Sequence, residues 1–268
     1  LTSFYFFEIF IGTLKFAWIA ALIDQKFKFD YLLRTKIVGH FFSQILPSSA
    51  GGDFYRFMSL SRLTNNSIAF FIIFLDRYVG LLKLVVFIPI SYFILVLKYD
   101  VREIFMEYFV FFVPFIFIFF SYFAYLVVKY IFQKKNIYLE EATKLIVLLK
   151  RNIKKIKLVL RITLAAIFVH IGSIVTFFLA CKAVGLDIEF FLLFFIVPLV
   201  FLATLIPISF GGWGVREITF VFLFQFFDFD LNSIVIASMT YGLGNLLFTL
   251  PSFMFIKKED FFKKNPSP

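Results

Sequence analysis

The sequence predicts an all-α, polytopic helical membrane protein made of two inverted halves, and three observations predict it. Of its 268 residues, 62% are hydrophobic and only 16% charged, too little polar surface to keep a soluble domain wet. Long apolar runs recur from end to end. A loop in the first half, "LPSSAGGDFYR" at 46–56, returns in the second as "IPISFGGWGVR" at 206–216, with Pro, Ser, Gly, Gly and Arg in the same order and spacing.

Segments 2–23, 67–97, 108–132, 158–183 and 231–256 are each long and apolar enough for a helical crossing, which takes about 20 residues. The 67–97 run exceeds that need and contains Pro89, so tilt or a kink is expected there. Segments 37–46 and 188–227 carry the repeated loops and break into shorter pieces.

The formal charge of +10 is unevenly spread. In the linker 133–157, Lys134, Lys135, Lys144, Lys150, Arg151, Lys154, Lys155 and Lys157 are opposed by Glu140 and Glu141, so the positive-inside rule makes it cytoplasmic. Its Leu145, Ile146, Leu148, Leu149, Ile153 and Ile156 recur at spacings of three and four, which predicts an amphipathic helix on the inner leaflet. Lys257, Lys258, Lys263 and Lys264 make the tail 257–268 cytoplasmic as well. Residues 1–132 and 158–256 are then two halves of a single transmembrane domain. Lys26, Lys28, Arg34 and Lys36 also read as cytoplasmic, so the first loop is entered from the inside and the second from the outside.

Opposed copies of one loop are the mark of inverted-topology repeats, whose broken helices build a site near the midplane. Pro47 and Pro207 each remove a backbone donor, and the pairs Gly51–Gly52 and Gly211–Gly212 let the chain turn. Non-helical backbone at membrane depth is tolerated only where protein buries it or where it lines a wet cavity. Ser49 and Ser209 can cap the half-helix that restarts after each pair, where free amides and the positive dipole end attract anions. Arg56 and Arg216 follow about one turn later, and a guanidinium binds phosphate bidentately. These eight residues other than the prolines (the serines, glycines and arginines) form the expected site for an anionic lipid headgroup. The plainer reading is a pair of Pro-Gly turns with snorkelling arginines.

Asp76 and Arg77 lie within an apolar span and should each pair with another group, Asp76 with Arg56 or Arg216, either as part of the site or as a structural lock. Asp53 and Glu217 are the expected counter-charges of Arg56 and Arg216, displaceable by a lipid phosphate. Glu8 and Lys15, two turns apart and facing the same groove, are expected to be structural or snorkelling, and the single histidines His40 and His170 to serve helix packing.

The stretches "LPSSAGGDFYRFMSLSR", "FLDRYVGLLKL" and "PISFGGWGVREITFVFLF" resemble, in this order, the lysylphosphatidylglycerol synthase transmembrane-region family, the flippase-like half of multiple peptide resistance factors. The resemblance spans nearly the whole chain. It implies a bundle of membrane helices that moves a lipid across the bilayer, aminoacylated phosphatidylglycerol in the full-length factors. Stand-alone members, to which this chain is more similar, leave the lipid open, and some archaeal relatives are linked to polyprenyl-phosphate sugar pathways. Carried over residue by residue are Pro47, Gly51, Gly52, Asp53 and Arg56, then Asp76, Arg77 and Gly80, then Pro207, Gly211, Gly212, Gly214, Arg216 and Glu217. The chain enters a span almost directly from Leu1, whereas family members usually have an earlier helix. Either the leucine reflects a non-standard start codon or an N-terminal element precedes it.

Other chemistry finds little support. Cys181 is the single cysteine and there are two histidines, so no disulfide framework, metal site, cofactor or catalytic residue is expected. With no phosphate-binding glycine motif, transport would run on gradients or downhill. The triplet Asp228-Phe229-Asp230 resembles the D-x-D of glycosyltransferases. It keeps open an alternative function, a polyprenyl-phosphate-dependent glycosyltransferase or an accessory membrane subunit of a lipid-modifying enzyme. The expected partners are membrane phospholipids or polyprenyl-phosphate lipids, with a lipid-modifying enzyme as a candidate and nucleic acid excluded, because the basic linker has a bilayer to occupy. The expected location is the cell membrane, multi-pass. Reporter fusions should read the linker and the tail as cytoplasmic and the two repeated loops as approached from opposite faces; loops exposed at one face would overturn the inverted arrangement.

Overall fold

A computed structural model describes residues 2–46, 50–98, 144, 146–205 and 209–256. Pro47, Ser49, Pro207, the 108–132 span, the basic residues of 133–143 and the 257–268 tail lie outside them. The described residues are all-α with no strand ladder. In chain order the helices are α1 (Thr2–Leu22), α2 (Phe29–Ile45), α3 (Ala50–Leu60), α4 (Asn66–Lys98), α5 (Ile156–Ala183), α6 (Phe190–Ala203), α7 (Val215–Phe224) and α8 (Leu231–Thr249), the last continuing as a 3₁₀ turn over Leu250–Phe255. Among the described residues three helices are long and apolar enough to cross a membrane, α1, α5 and α8 with its 3₁₀ extension. Their outward faces remain apolar, with Phe6, Leu160, Phe168, Ile236 and Leu247 exposed. The protein is a helical membrane protein.

The breaks follow from local chemistry. α2 stops because Leu46 precedes Pro47, and the residue before a proline is pushed to extended backbone; Leu46 has φ −85° and ψ 155°. α7 starts only after Gly211, Gly212 and Gly214, all at positive φ (57°, 80° and 82°). The first copy differs. Gly51 and Gly52 lie inside the first turn of α3 rather than before it. The position matching Gly214 is Phe54, and a bulky side chain cannot take a left-handed conformation cheaply, so the chain resumes its helix before the glycines.

Each half has the same plan of a long helix, two shorter ones around the repeated break, and a closing helix. The packing between helices obeys the matching two-fold relation. α1 packs on α5, its counterpart; α4 packs on α6 as α8 packs on α2; α4 meets α5 as α8 meets α1. The counterparts α1 and α5 run antiparallel. Glu8 of α1 bonds Ser173 and Thr176 of α5, while the carbonyl of Leu22 at the other end of α1 accepts from Asn152, just before α5. Antiparallel counterparts place the two-fold axis across the helices, which is the geometry of an inverted repeat.

Two apolar cores fill the bundle. Phe16, Ile19, Leu32, Leu60 and Ile72 anchor one among α1–α4, and Phe177, Phe195, Phe220, Phe224 and Tyr241 anchor the other among α5–α8. Part of the basic linker is described: residues 146–152 are helical, and Asn152 and Arg151 bond Asp24, the latter at 2.5 Å, which ties this piece to the end of α1. Small residues permit the closest helix approach, as is usual where lipid removes the hydrophobic drive between helices. A Cβ on Gly52 would run into the carbonyl of Gly39 and the hydroxyl of Ser43 on α2. Gly52→Ala should therefore pry α3 from α2 at a cost of about 1–3 kcal/mol, read as a lower unfolding midpoint in detergent. Gly80→Ala, which meets nothing within 4 Å, should leave the midpoint unchanged.

Candidate functional site

Four helices each deliver charge to one buried point. Asp76, about three turns into α4, sits between Lys15 Nζ of α1 at 2.8 Å and Lys36 Nζ of α2 at 3.0 Å, with Arg56 Nη1 of α3 at 3.9 Å. Arg56 Nη1 reaches Asp53 Oδ1 at 2.8 Å one turn earlier on α3, and Arg77 Nε of α4 donates to the other oxygen of Asp53. Four cations thus converge on two carboxylates. Lys15, Arg56 and Asp76 are each less than a tenth exposed. The glycine at 39 makes the space, since a Cβ there would come within 2.8 Å of Arg56 Nε. That Nε is buried with no hydrogen-bond acceptor among the described residues.

Asp53, Arg56, Asp76 and Arg77, singled out in the sequence, are brought together here. Lys15 and Lys36 are the residues that sequence reasoning missed. Lys36 read as one of the cytoplasmic cations, but it lies in the middle of α2 and points at Asp76. The signal was present as a polar stripe of Lys36, Gly39, His40 and Ser43, whose spacing puts all four on one face of a helix.

The second copy is arranged differently. Arg216, the second residue of α7, donates from Nη2 and Nε to Glu217 Oε1 at 2.8 and 3.0 Å, and from Nε to Ser238 Oγ of α8 at 3.1 Å. Its guanidinium lies over the Trp213 ring at 4.7 Å and faces Tyr241 at 5.7 Å. Gly242 leaves the room it occupies. Glu217 Oε2 accepts from the N–H of Gly214 at 2.7 Å, so the free amide at the start of α7 is met by an internal carboxylate. Gly214 is the N-cap of α7, and Ser209 lies well outside the helix in a bend rather than capping it. One net charge of each sign makes this second centre neutral. A small cavity of about 10 Å³ lies beside it, lined by Phe177, Phe220, Tyr241 and Arg216.

The two breaks touch. The N–H of Gly211 donates to the carbonyl of Leu46 at 3.1 Å, and a Cβ on Gly211 would strike the backbone of Gln44. A second link, His40 Nε2 to Asn245 Oδ1 at 2.8 Å, joins the helix that shelters Arg56 to the helix that shelters Arg216. His40 is thus a bonded packing residue, whereas His170 stacks edge-on against Phe87 at 5.1 Å and has no hydrogen-bond partner among the described residues. Asp230 of the D-x-D triplet is the N-cap of α8; its carboxylate accepts from the Ser233 hydroxyl, its N–H and that of Asn232, and these bonds, the hydroxyl first, hold its carboxyl below the usual range. Among the described residues no group of three His, Cys, Asp or Glu is placed to hold a metal.

The family described as the lysylphosphatidylglycerol synthase TM region matches residues 1–252 of the chain. No curated protein and no solved structure matches it.

Removing a partner from a buried ion pair costs about 3–5 kcal/mol because it strands the other charge. Asp76→Asn, which leaves three cations facing one another, should lose that much in detergent unfolding. Lys15→Met, which removes one of the surplus cations, should lose much less. Equal stability of Asp76→Asn and the wild-type protein would mean that the cluster is open to water.

Proposed function

Because the chain belongs to the lysylphosphatidylglycerol synthase transmembrane-region family, we propose that it is a lipid translocator which carries an anionic headgroup, phospholipid or lipid-linked, past the two repeated breaks. The observation that carries this reading is the surplus of positive charge at Asp76. Three cations, the buried Lys15 and Arg56 and the half-buried Lys36, face that carboxylate, and Arg56 shares Asp53 with Arg77. A buried surplus is costly unless an anion neutralises it, and Arg56 Nε is a spare donor for a phosphate oxygen. A headgroup with net positive charge would be repelled at the same point.

The two copies of the loop then divide the work. Gly51, Gly52 and the buried end of α3 hold Arg56 where a phosphate displaces Asp53 from it. The second break, with Gly211, Gly212 and Ser209, pivots where Gly211 bonds Leu46, while Arg216 stays clasped by Glu217 and Ser238 and holds α7 to α8. Rocking of the halves about this contact would expose the headgroup to either side while the acyl chains remain in the bilayer. In this reading the protein sits in the cytoplasmic membrane with the linker 133–157 and the tail on the cytoplasmic side. Its partners are anionic phospholipids or polyprenyl-phosphate lipids, and a lipid-modifying enzyme would supply or consume them.

Headgroup-labelled lipids in proteoliposomes, scored by quencher access, test the reading. The wild-type protein should speed the movement of anionic lipids. Arg56→Ala and Lys36→Ala should slow it by about 10- to 100-fold, the worth of one charge-assisted contact of about 1.5–3 kcal/mol. Folded protein that moves lipid no faster than empty vesicles, or an Arg56→Ala variant as fast as wild type, would sink the proposal.

A further inference from the structure

A second set of charges lies two helical turns from the headgroup cluster. On α1, Glu8 precedes Lys15 by two turns; on α4, Asp76 precedes Lys83 by two turns. The helices run antiparallel here, so Lys15 meets Asp76 while Lys83 feels the Glu8 carboxylate, and the two rungs have opposite polarity. Lys83 also feels Lys15, Lys36 and Asp76, which joins the rungs electrostatically.

Glu8 itself is held in an unusual way. Its side chain fits against Gly172 of α5, where a Cβ would come within 2.7 Å of Glu8 Cγ. Oε2 accepts from the Ser173 hydroxyl at 2.8 Å and Oε1 from the Thr176 hydroxyl at 2.8 Å. Each of those hydroxyls also lies within bonding distance of a carbonyl of its own helix, Val169 at 3.1 Å and Gly172 at 2.8 Å. A hydroxyl has one proton and can give it to one acceptor at a time. With Glu8 ionised, both protons point to the carboxylate. With Glu8 protonated, one hydroxyl turns its proton to the backbone and accepts from the carboxylic acid. Neither state strands a buried polar group, so the pocket is built for both.

The charged and titratable groups around Glu8 come from every helix packed there. Tyr5 is on its own helix with its hydroxyl bonded to the carbonyl of Tyr241, Tyr241 is on α8, Lys83 is on α4, and His170 lies one turn before Ser173 on α5 and feels Lys83.

We propose that Glu8 is a proton-binding site that couples headgroup movement to the proton gradient, one proton accompanying one headgroup. The proposal rests on the lipid reading above. Protonation of Glu8 removes a negative charge from beside Lys83 and makes the field at the Asp76 cluster more positive. An anion there is then held more tightly, and by linkage the anion holds the proton on Glu8 more tightly. Proton and headgroup therefore load together from one side. When the halves rock and the headgroup leaves, the carboxylic acid gives its proton back to water on the other side, and Ser173 and Thr176 turn their own protons to the carboxylate again. For a headgroup of single negative charge the loaded state carries no added net charge.

The test uses phosphatidylcholine vesicles with a trace of acyl-labelled phosphatidylglycerol and a trapped pH dye. Wild-type movement should slow as pH rises, by at most about tenfold per unit, the limit for one linked proton. An imposed pH gradient should drive labelled lipid into one leaflet with a matching dye signal. Glu8→Gln, which has the charge of the protonated acid at every pH, should give a flat profile and equilibrate lipid without accumulation; Glu8→Asp should restore part of the pH dependence. Gradient-driven accumulation by Glu8→Gln, or a flat wild-type profile, would overturn the proposal. Wild-type protein that moves no lipid overturns the lipid reading instead. Glu8 is then judged by infrared difference spectra between acid and alkaline pH, in which a carboxylic-acid band missing from Glu8→Gln supports the proton site and no such band refutes it.

Discussion

One carboxylate holds the first half together. Asp76 is the point at which α1, α2, α3 and α4 meet through charge, and its ion pairs with Lys15 and Lys36 tie helices that lipid would otherwise let drift apart. Apolar contact contributes little to specificity in a bilayer, because lipid tails are as apolar as leucine. A buried ionic centre is different, since every wrong arrangement strands a charge. The glycines follow from it. Gly39 admits Arg56, Gly172 admits Glu8 and Gly242 admits Arg216, so the small residues lie where a charged side chain must cross from one helix to another.

The same motif, written twice, gives two different centres. The second has three glycines at positive φ, and its arginine is fully met by Glu217, Ser238 and two aromatic rings. The first has Phe54 where the second has Gly214, stays helical through its glycine pair, and buries more cations than carboxylates. Symmetry therefore sets the frame, and single residues break it locally. A self-neutral centre beside a cation-rich one is the asymmetry that a carrier with one headgroup site would use, and the Leu46–Gly211 contact keeps the two in register.

A fifth cation, Lys83, links the cluster to the Glu8 pocket. Lys83 lies in reach of both, so any change of charge at one rung is felt at the other across about 10 Å, two turns of helix. In the dry interior such a field is screened weakly, so charge at one rung acts on the other despite the distance.

Much was legible in the chain alone. Composition forces the helices into a bilayer, Leu46-Pro47 and the glycines before α7 mark two of their breaks, and the repeated loop announces the two-fold relation, although α3 runs through its glycine pair and α4 and α6 run through Pro89 and Pro198. Even the pairing of Arg216 with Glu217 needs only adjacency. The partners of Asp76 were not legible. Lys15 and Lys36 stand 61 and 40 positions away in sequence, Lys36 looked like one more surface cation, and Glu8 looked like packing. Only the antiparallel setting of α1 against α4 and α5 brings Lys15 to Asp76 and Ser173 and Thr176 to Glu8, since charges find one another through space and the order of the chain does not record which helix lies beside which.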